Sequence, residues 1–317
     1  MKITVLDGYG LNPGDLSWEG LEELGELKVY DRTAPEEIEE RAKDSEIILT
    51  NKTVLDSETI GKLPKLKYIG VLATGYNVVD TESARRQGVA VTNIPAYSTM
   101  SVAQRVFALL LAVTDRPEHY ATEVAAGKWS RNLDFCFWDT DLIELAGKKF
   151  GIIGMGNIGN AVARIAKAFG MEVIDFSSKE ETELPSGVRK VSLPDLWSQS
   201  DVISLHCPLT DSTRQIINKD SIAQMKQGVV IINTGRGPLV NEEDVAQGLK
   251  SGKIGAFCAD VLSTEPPSAE NPLLTAPNAW ITPHTAWATK EARLRLMNIA
   301  VDNVRNFLNS TPVNVVN

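Results

Sequence analysis

Short apolar runs rich in β-branched residues alternate with helical patterns along almost the whole chain. This alternation is typical of βαβ units, in which parallel strands form a sheet with helices on both faces. The predicted strands fall into two sets, one at 2–7, 27–30, 46–51, 67–73 and 89–93, and one at 148–154, 171–176, 201–207, 229–234, 255–261 and 280–283. The sequence therefore predicts an α/β protein with two doubly wound parallel sheets.

The helical patterns indicate how the chain is divided between these sheets. One long helix is predicted over 98–116, between the two sets of strands, and another over 289–308, after the last strand. The second helix has no sheet of its own, and the simplest arrangement returns it to the first sheet. We therefore predict a discontinuous domain formed by 1–99 and 287–317, and an inserted domain at 100–286. A shorter helix is predicted over 35–43, with Thr33 as its N-cap.

Charge and apolar run lengths argue against several classes of partner. The 317 residues include 32 Lys and Arg and 41 Asp and Glu, a net charge of −9, without the basic stripe that binds nucleic acid. The longest apolar run, 106–113, is far shorter than a membrane span. The first seven residues are predicted to form a strand rather than an export signal, and no Cys-x-x-Cys pair is present. We expect a cytoplasmic protein with reduced cysteines, no nucleic acid or membrane partner and, with three histidines, no metal site.

A glycine-rich segment follows the predicted strand at 150–153 and leads into a helical pattern. It is Gly154-Met155-Gly156-Asn157-Ile158-Gly159, which has the spacing of a dinucleotide-binding turn. In such a turn the first glycine makes the tight turn, the second lets the backbone approach a pyrophosphate, and the third allows close helix–strand packing. Backbone N–H groups at the helix start, including those of Asn157 and Ile158, would then hold the anion. The inserted domain is therefore predicted to bind a dinucleotide.

The end of the next predicted strand bears on the choice between NAD and NADP. An NAD site normally has an acidic residue there, which binds the 2′-hydroxyl of the adenine ribose. Here the expected position holds Ser177, followed by Ser178 and Lys179. Two hydroxyls and a cation suit a 2′-phosphate, which favours NADP slightly. Asp175 keeps NAD open, because a register shift of two residues would restore the acid.

Three further polar residues follow strands of the second set. Arg236 comes after the strand at 229–232, Glu265 after 255–261, and His284 after 280–281. Because the carboxyl ends of parallel strands meet at one edge, we expect these side chains to lie near the dinucleotide. A guanidinium can clamp a carboxylate, and a histidine beside a carboxylate can exchange a proton with a carbonyl oxygen. Taken alone, Arg236 fits a surface ion pair and His284 a capped or core histidine; together they favour catalysis.

These motifs resemble the D-isomer-specific 2-hydroxyacid dehydrogenase family over essentially the whole chain. The matching segments are the glycine-rich turn, Asn233-Thr234-Gly235-Arg236-Gly237, Asp260-Val261 with Glu265-Pro266, and Thr282-Pro283-His284. The resemblance implies an oxidoreductase with a Rossmann cofactor domain inserted in a flavodoxin-like substrate domain. It also implies that Arg236 binds the 2-oxo acid, His284 is the general acid and base, and Glu265 orients His284.

The same resemblance implies further contacts. Asp260 would contact the nicotinamide carboxamide, and Thr234 and Gly235 would also bind the cofactor. The segment His206-Cys207-Pro208 would line the adenine pocket, and the backbone of Ala73, Thr74, Gly75 and Tyr76 would hold the substrate carboxylate. His119 is predicted to be a surface residue. A homodimer through the cofactor domain is expected.

The substrate prediction depends on two segments. Residues 71–77 and 134–139 resemble the glycerate dehydrogenases (hydroxypyruvate reductases) of this family, which favours hydroxypyruvate or glyoxylate. The aromatic residues Phe135, Phe137 and Trp138 are interpreted as core or dimer interface, or as a wall of a neighbouring subunit's pocket. A broad-range D-lactate or 2-keto acid reductase is the alternative. A formate dehydrogenase and a nucleotide-sensing interaction protein are further alternatives; Glu265 argues against the first, which typically has an amide at that position.

Overall fold

The computed structural model describes all residues from Met1 to Asn317. Its strands are β1 (Lys2–Val5), β2 (Glu26–Val29), β3 (Ile47–Thr50), β4 (Tyr68–Val71), β5 (Ala90–Thr92), β6 (Lys149–Ile153), β7 (Glu172–Phe176), β8 (Val188–Lys190), β9 (Val202–Leu205), β10 (Val229–Asn233), β11 (Ile254–Ala259) and β12 (Ala279–Ile281). Its helices are α1 (Glu19–Glu22), α2 (Ile38–Ala42), α3 (Ser57–Gly61), α4 (Thr81–Arg86), α5 (Thr99–Thr114), α6 (Pro117–Ala125), α7 (Asn157–Ala168), α8 (Leu193–Gln199), α9 (Lys219–Gln224), α10 (Glu242–Lys250) and α11 (Lys290–Leu308). None of these helices combines the length and apolar character that crossing a membrane requires.

One compact unit consists of residues 1–98 and 287–317. It contains a parallel five-stranded sheet with the order β2-β1-β3-β4-β5, which is the flavodoxin-like order. The last helix, α11, packs on this sheet, with Leu296, Ala300 and Val304 buried in the same core as Ile3 and Ile47. Their spacing of four residues places them on one face of the helix. The end of the chain therefore belongs to the same unit as its beginning.

The other compact unit consists of residues 99–286. Its parallel seven-stranded sheet has the order β12-β11-β10-β9-β6-β7-β8. Val106 of α5 and Val162 of α7 belong to the core on one face, whereas Leu196 of α8 and Val245 of α10 belong to the core on the other. The predicted α/β class with doubly wound sheets is confirmed. The strand order reverses between β6 and β9, and ligands of such sheets bind outside the carboxyl ends of the strands at this point.

One local prediction was wrong, and one strand was not predicted. The segment at 35–43 forms a 3₁₀ turn at Pro35–Glu37 and then α2, and the N-cap of the turn is Ala34 rather than Thr33. The Thr33 hydroxyl donates instead to the Leu6 carbonyl oxygen at 2.5 Å, so it does not cap the helix. Strand β8 is absent from the sequence prediction, because only its Val188 is buried and no alternating pattern marks it.

Candidate active site

The carboxyl end of the seven-stranded sheet carries most of the predicted site residues. Its strands are parallel, so the loops after β6, β7, β9, β10, β11 and β12 all leave this edge. These loops include 154–159, 177–179, 206–208, 234–236, 260–265 and His284. The structure therefore brings the predicted dinucleotide and catalytic residues to one edge of one unit.

The three glycines of the glycine-rich turn differ in their surroundings. Gly154 has a φ of 101°, in the left-handed region that favours glycine, and a Cβ there would lie 2.5 Å from the Cys207 nitrogen. A Cβ at Gly159 would lie 2.2 Å from the Gly154 carbonyl oxygen, so α7 packs closely on the turn. At Gly156 no atom lies within 4 Å of the place its Cβ would take. Because no side chain caps α7, this open space beside its first turn fits an anionic pyrophosphate.

Strand β7 ends next to this turn, since the Gly154 nitrogen donates to the Phe176 carbonyl oxygen at 3.0 Å. Ser177 follows, and its hydroxyl donates to Asp175 Oδ2 at 2.7 Å. The Asp175 side chain is fully buried and its Oδ1 has no hydrogen-bond partner. Burial raises the pKa of the Asp175 carboxyl, against the hydrogen bond from Ser177 and the charges of two lysines. A carboxylate therefore lies directly behind the Ser177 hydroxyl rather than at the strand end.

His206 follows β9 and lies against the glycine-rich turn. Its backbone nitrogen donates to the Ile153 carbonyl oxygen at 2.8 Å, and its Nε2 lies 2.8 Å from Ser204 Oγ. Desolvation of the ring lowers the pKa of His206 to about 3, so it is uncharged at neutral pH. Burial also raises the pKa of the Cys207 thiol. These neutral groups suit the wall of an adenine pocket better than a second acid and base.

His284 and Glu265 form a direct pair. The His284 Nδ1 lies 2.5 Å from Glu265 Oε2, and the other carboxylate oxygen, Oε1, accepts from the Leu262 nitrogen at 3.0 Å. The carboxylate is thus fixed at both oxygens. About one third of each side chain stays exposed, which leaves the ring accessible to a small molecule. Because Nδ1 is engaged with Glu265, Nε2 is the ring atom available to exchange a proton with a ligand.

Asp260 holds the loop that carries His284. Its side chain is 1% exposed; Oδ1 accepts from the Thr282 hydroxyl at 2.5 Å and from the Thr285 nitrogen at 3.0 Å, and Oδ2 accepts from the Ala286 nitrogen at 2.7 Å. Between these anchors His284 adopts a φ of 52°, in the left-handed region. This anchoring role is one that the sequence reasoning missed, because no spacing pattern links Asp260 to residues more than twenty positions later. A contact of Asp260 with the nicotinamide stays a prediction.

Arg236 lies just beyond β10 with an exposed side chain. Its backbone is fixed by Asn233, whose side chain accepts from the Gly235 nitrogen and donates to the Arg236 carbonyl oxygen. A Cβ at Gly237 would lie 2.0 Å from the backbone of Leu262, so the segment after Arg236 packs tightly against the segment that carries Glu265. In the same loop, the buried Thr234 Oγ1 has no hydrogen-bond partner. An exposed guanidinium and an unpartnered hydroxyl thus adjoin the histidine–glutamate loop.

Glu242, in the first turn of α10, is a residue that the sequence reasoning missed altogether. Its Oε1 accepts from the Ser263 nitrogen and its Oε2 from Asn271 Nδ2, both at 2.7 Å. It therefore accepts hydrogen bonds from both ends of the loop that contains Glu265. An acidic residue in the first turn of a helix is so common that its sequence position gave no signal of this role.

The predicted substrate loop, 73–76, lies in the other unit and follows β4. The Thr74 hydroxyl donates to the Ile94 carbonyl oxygen at 2.9 Å, and Asn93 Nδ2 donates to the Thr74 carbonyl oxygen at 2.8 Å. The Tyr76 side chain is exposed. The loop is thus held at Thr74, and its role toward a substrate carboxylate stays a prediction. His119 is half-exposed on α6, with Nε2 2.8 Å from Asp139 Oδ1.

Comparison with known proteins decides the family. The model of the NAD binding domain of D-isomer specific 2-hydroxyacid dehydrogenases matches residues 107–286. A hydroxypyruvate reductase of Blautia hydrogenotrophica is 53% identical over 321 aligned residues, which cover 100% of each chain. The chain belongs to the D-isomer specific 2-hydroxyacid dehydrogenase family. A glycerate dehydrogenase of Methylorubrum extorquens is 41% identical over 92% of each chain, and a solved structure from Thermus thermophilus, with a TM-score of 0.87 and 32% identity, matches 100% of each chain.

Membership in this dehydrogenase family confirms the predicted family and enzyme class: the protein is a nicotinamide-dependent oxidoreductase of 2-oxo and 2-hydroxy acids. The open space at Gly156, the uncapped start of α7 and the unpartnered Thr234 hydroxyl fit a bound dinucleotide. The choice between NAD and NADP, the roles of individual site residues and the oligomeric state stay predictions.

Proposed function

We propose that this dehydrogenase reduces hydroxypyruvate or glyoxylate to the D-2-hydroxy acid, and that Arg236, Glu265 and His284 carry the reaction. The observation that carries this proposal is the 2.5 Å contact between His284 Nδ1 and Glu265 Oε2, at the sheet edge that also bears Arg236. A carboxylate-paired histidine beside an exposed guanidinium suits proton transfer to the carbonyl oxygen of an anionic substrate. The substrate class is supported by the names of two relatives, hydroxypyruvate reductase and glycerate dehydrogenase.

The roles of the three residues follow from their positions. The planar fork of Arg236 binds the substrate carboxylate and the neighbouring C2 oxygen. A dinucleotide held at the glycine-rich turn would supply the hydride that reduces C2. As the C2 oxygen gains negative charge, His284 Nε2 donates a proton to it, while Arg236 stabilises that charge. Glu265 accepts from Nδ1 throughout and keeps Nε2 directed at the substrate. In the reverse direction His284 accepts the proton.

Initial rates test this function. Oxidation of NADH and of NADPH, followed by the loss of reduced-nicotinamide absorbance, is measured with hydroxypyruvate, glyoxylate and pyruvate, and reduction of NAD and NADP is measured with formate. We expect the highest kcat/KM with hydroxypyruvate or glyoxylate and no reaction with formate. A highest value with pyruvate would favour the broad-range reductase. Turnover of formate, or dinucleotide binding without turnover of any 2-oxo acid, would contradict the proposal.

The residues that would hold the dinucleotide surround the glycine-rich turn. The backbone at Gly154, Gly156, Asn157, Ile158 and Gly159 suits the pyrophosphate, the segment 206–208 the adenine, and Thr234, Gly235 and Asp260 the nicotinamide side. Ser177, Ser178 and Lys179 would contact the 2′ position of the adenine ribose, where NAD and NADP differ. By residue type these three favour NADP slightly, whereas the Asp175 carboxylate behind Ser177 favours NAD. The residue types alone therefore leave the cofactor as NADP or NAD.

Gly156→Ala is expected to weaken binding of both dinucleotides about tenfold, or about 1.4 kcal/mol, without lowering the unfolding temperature. The added methyl group meets no protein atom within 4 Å, but it occupies space where the backbone would approach the pyrophosphate. Titration of protein fluorescence with NADH and NADPH measures the affinity. Gly10→Ala is the matched control, because its Cβ also meets nothing within 4 Å, and it should change neither quantity. Unchanged affinity in Gly156→Ala would place the dinucleotide elsewhere.

We also propose a homodimer formed through the dinucleotide-binding unit. Leu133 is fully exposed, Phe135 is 89% exposed and Trp138 is 70% exposed, all within one short segment. Adjacent exposed apolar side chains of this size are typical of a protein interface. Light scattering should give a mass of twice 34.6 kDa, and Leu133→Asp with Phe135→Asp should give the monomer mass. Val54→Asp, at an exposed valine of the other unit, is the control and should stay dimeric. A monomeric wild-type protein at micromolar concentration would refute the dimer.

A further inference from the structure

At the end of β7 a serine occupies the position where NAD sites usually have an acidic residue, and a buried aspartate lies next to it. Ser177 stands where the sequence pattern of an NAD site places a carboxylate, and the fully buried Asp175 lies two residues earlier, in β7. The two side chains are joined by a 2.7 Å hydrogen bond in which the Ser177 hydroxyl donates to Asp175 Oδ2. The bond from the Gly154 nitrogen to the Phe176 carbonyl oxygen places this pair beside the glycine-rich turn.

This hydrogen bond determines what Ser177 offers to a ligand. A serine hydroxyl has one hydrogen to donate, and here that hydrogen is directed at Asp175. The Lys179 backbone nitrogen donates to Ser177 Oγ at 3.3 Å, which shows that the oxygen acts as an acceptor in this loop. A ribose 2′-hydroxyl can donate to such an oxygen. A fully ionised 2′-phosphate has no hydrogen to donate, so it gains nothing from Ser177 in this state.

The charge of Asp175 also disfavours a 2′-phosphate at this position. Its Oδ1 has no hydrogen-bond partner. Lys190 is bonded elsewhere, since its Nζ donates to the Lys179 carbonyl oxygen at 2.5 Å and lies 3.8 Å from Glu180 Oε2. A carboxylate that no cation contacts directly repels a phosphate placed on the other side of one hydroxyl group. Rotating the Ser177 hydrogen toward a phosphate would also leave the second Asp175 oxygen buried without a partner.

We propose that Asp175 is a positioning residue that acts through Ser177 and makes the dinucleotide site prefer NAD over NADP. A buried carboxylate holding a serine hydroxyl thereby replaces the acid that usually contacts the ribose directly. This proposal rests on the proposed dinucleotide site, and it reverses the slight preference for NADP inferred from residue types at 177–179. Lys179 is the residue that opposes the preference, because its ammonium would attract a 2′-phosphate.

Binding measurements test this proposal without reference to turnover. Dissociation constants for NADH and NADPH are measured by fluorescence titration of the wild type, Asp175→Asn, Ser177→Ala and Lys179→Ala, with thermal unfolding as the check on folding. The wild type should bind NADH at least about tenfold more tightly than NADPH, a difference of about 1.4 kcal/mol. Asp175→Asn has nearly the same shape but no charge, and its Nδ2 can donate to Ser177 Oγ, which frees the serine hydrogen for a phosphate. It should therefore reduce the NADH preference about tenfold, mainly by tightening NADPH binding.

Two further variants keep the test decisive if Asp175→Asn does not fold. Ser177→Ala should weaken NADH binding and leave NADPH binding unchanged, because only the ribose hydroxyl bonds Ser177. Lys179→Ala should weaken NADPH alone. A wild type that binds NADPH as tightly as NADH would overturn the proposal, as would a folded Asp175→Asn or Ser177→Ala variant with an unchanged ratio. Failure of both dinucleotides to bind any variant or the wild type would instead contradict the proposed dinucleotide site.

Discussion

His284→Gln is expected to lower kcat for reduction of the favoured 2-oxo acid by about 10²–10⁴-fold, the usual contribution of a general acid and base. Glutamine is similar in reach and can still donate a hydrogen bond to Glu265. It has no titratable proton to give to the C2 oxygen. The decrease in kcat therefore reports the loss of proton transfer rather than a change in the position of the side chain. Because the wild-type contact between Nδ1 and Glu265 leaves Nε2 free, the deficit should appear in kcat while dinucleotide affinity stays unchanged.

The matched control for this variant is His119→Gln. His119 is also paired with a carboxylate, at 2.8 Å from Asp139 Oδ1, but it lies on α6 rather than at a strand end. Stopped-flow measurement of a single turnover separates the chemical step from product release. His119→Gln should react at the wild-type rate. A His284→Gln variant with nearly full single-turnover rate would remove His284 from the mechanism.

Arg236→Gln is expected to lower kcat/KM by about 10²–10³-fold, because it removes the charged donors that bind the carboxylate and stabilise the developing alkoxide. Arg236→Lys keeps the charge but loses the planar fork, so it should recover only part of this loss. The Arg236 side chain is exposed and donates to the neighbouring Gly235 carbonyl oxygen at 2.8 Å, so neither change removes a hydrogen bond to another segment. Unfolding temperatures should therefore be unchanged.

Arg305→Gln provides the control for a general effect of charge. Arg305 is exposed on α11 and pairs with Asp302 at 2.7 Å, so its loss changes the net charge equally without touching the site. Steady-state kinetics should show wild-type parameters for it. If Arg236→Gln leaves both kcat and KM unchanged, or if Arg236→Lys is fully active, the proposed two-point clamp is wrong.

Much of the architecture is predictable from the sequence, for physical reasons that particular residues show. Strands β10 and β11 are buried and almost wholly apolar, and the carboxyl ends of such parallel strands mark the edge where ligands bind. Arg236, Glu265 and His284 are recognisable from the sequence because each follows a strand of this sheet. The glycine-rich turn is recognisable because its spacing reflects backbone requirements, such as the positive φ of Gly154, that few other residues meet.

The contacts between site residues are less predictable. Asp260 accepts from donors at 282, 285 and 286 across a turn in which His284 has a φ of 52°, a conformation with no signature in the sequence. The hydrogen bond from Ser177 to Asp175 is likewise not apparent from the residue types at 175–179, because it depends on how the two side chains orient at the end of β7. Thr33 likewise donates to the carbonyl oxygen of Leu6, which follows β1 and is distant in the sequence, rather than capping the helix beside it.

The stereochemistry of the product tests the central claim most directly. Wild-type enzyme is incubated with hydroxypyruvate and reduced dinucleotide until the substrate is consumed, and the glycerate is analysed by chiral chromatography. Hydride transfer to one face of a substrate held by Arg236 and protonated by His284 should give D-glycerate alone, with one dinucleotide oxidised for each molecule formed. L-glycerate, a racemic mixture, or oxidation of the dinucleotide without formation of glycerate would contradict the account.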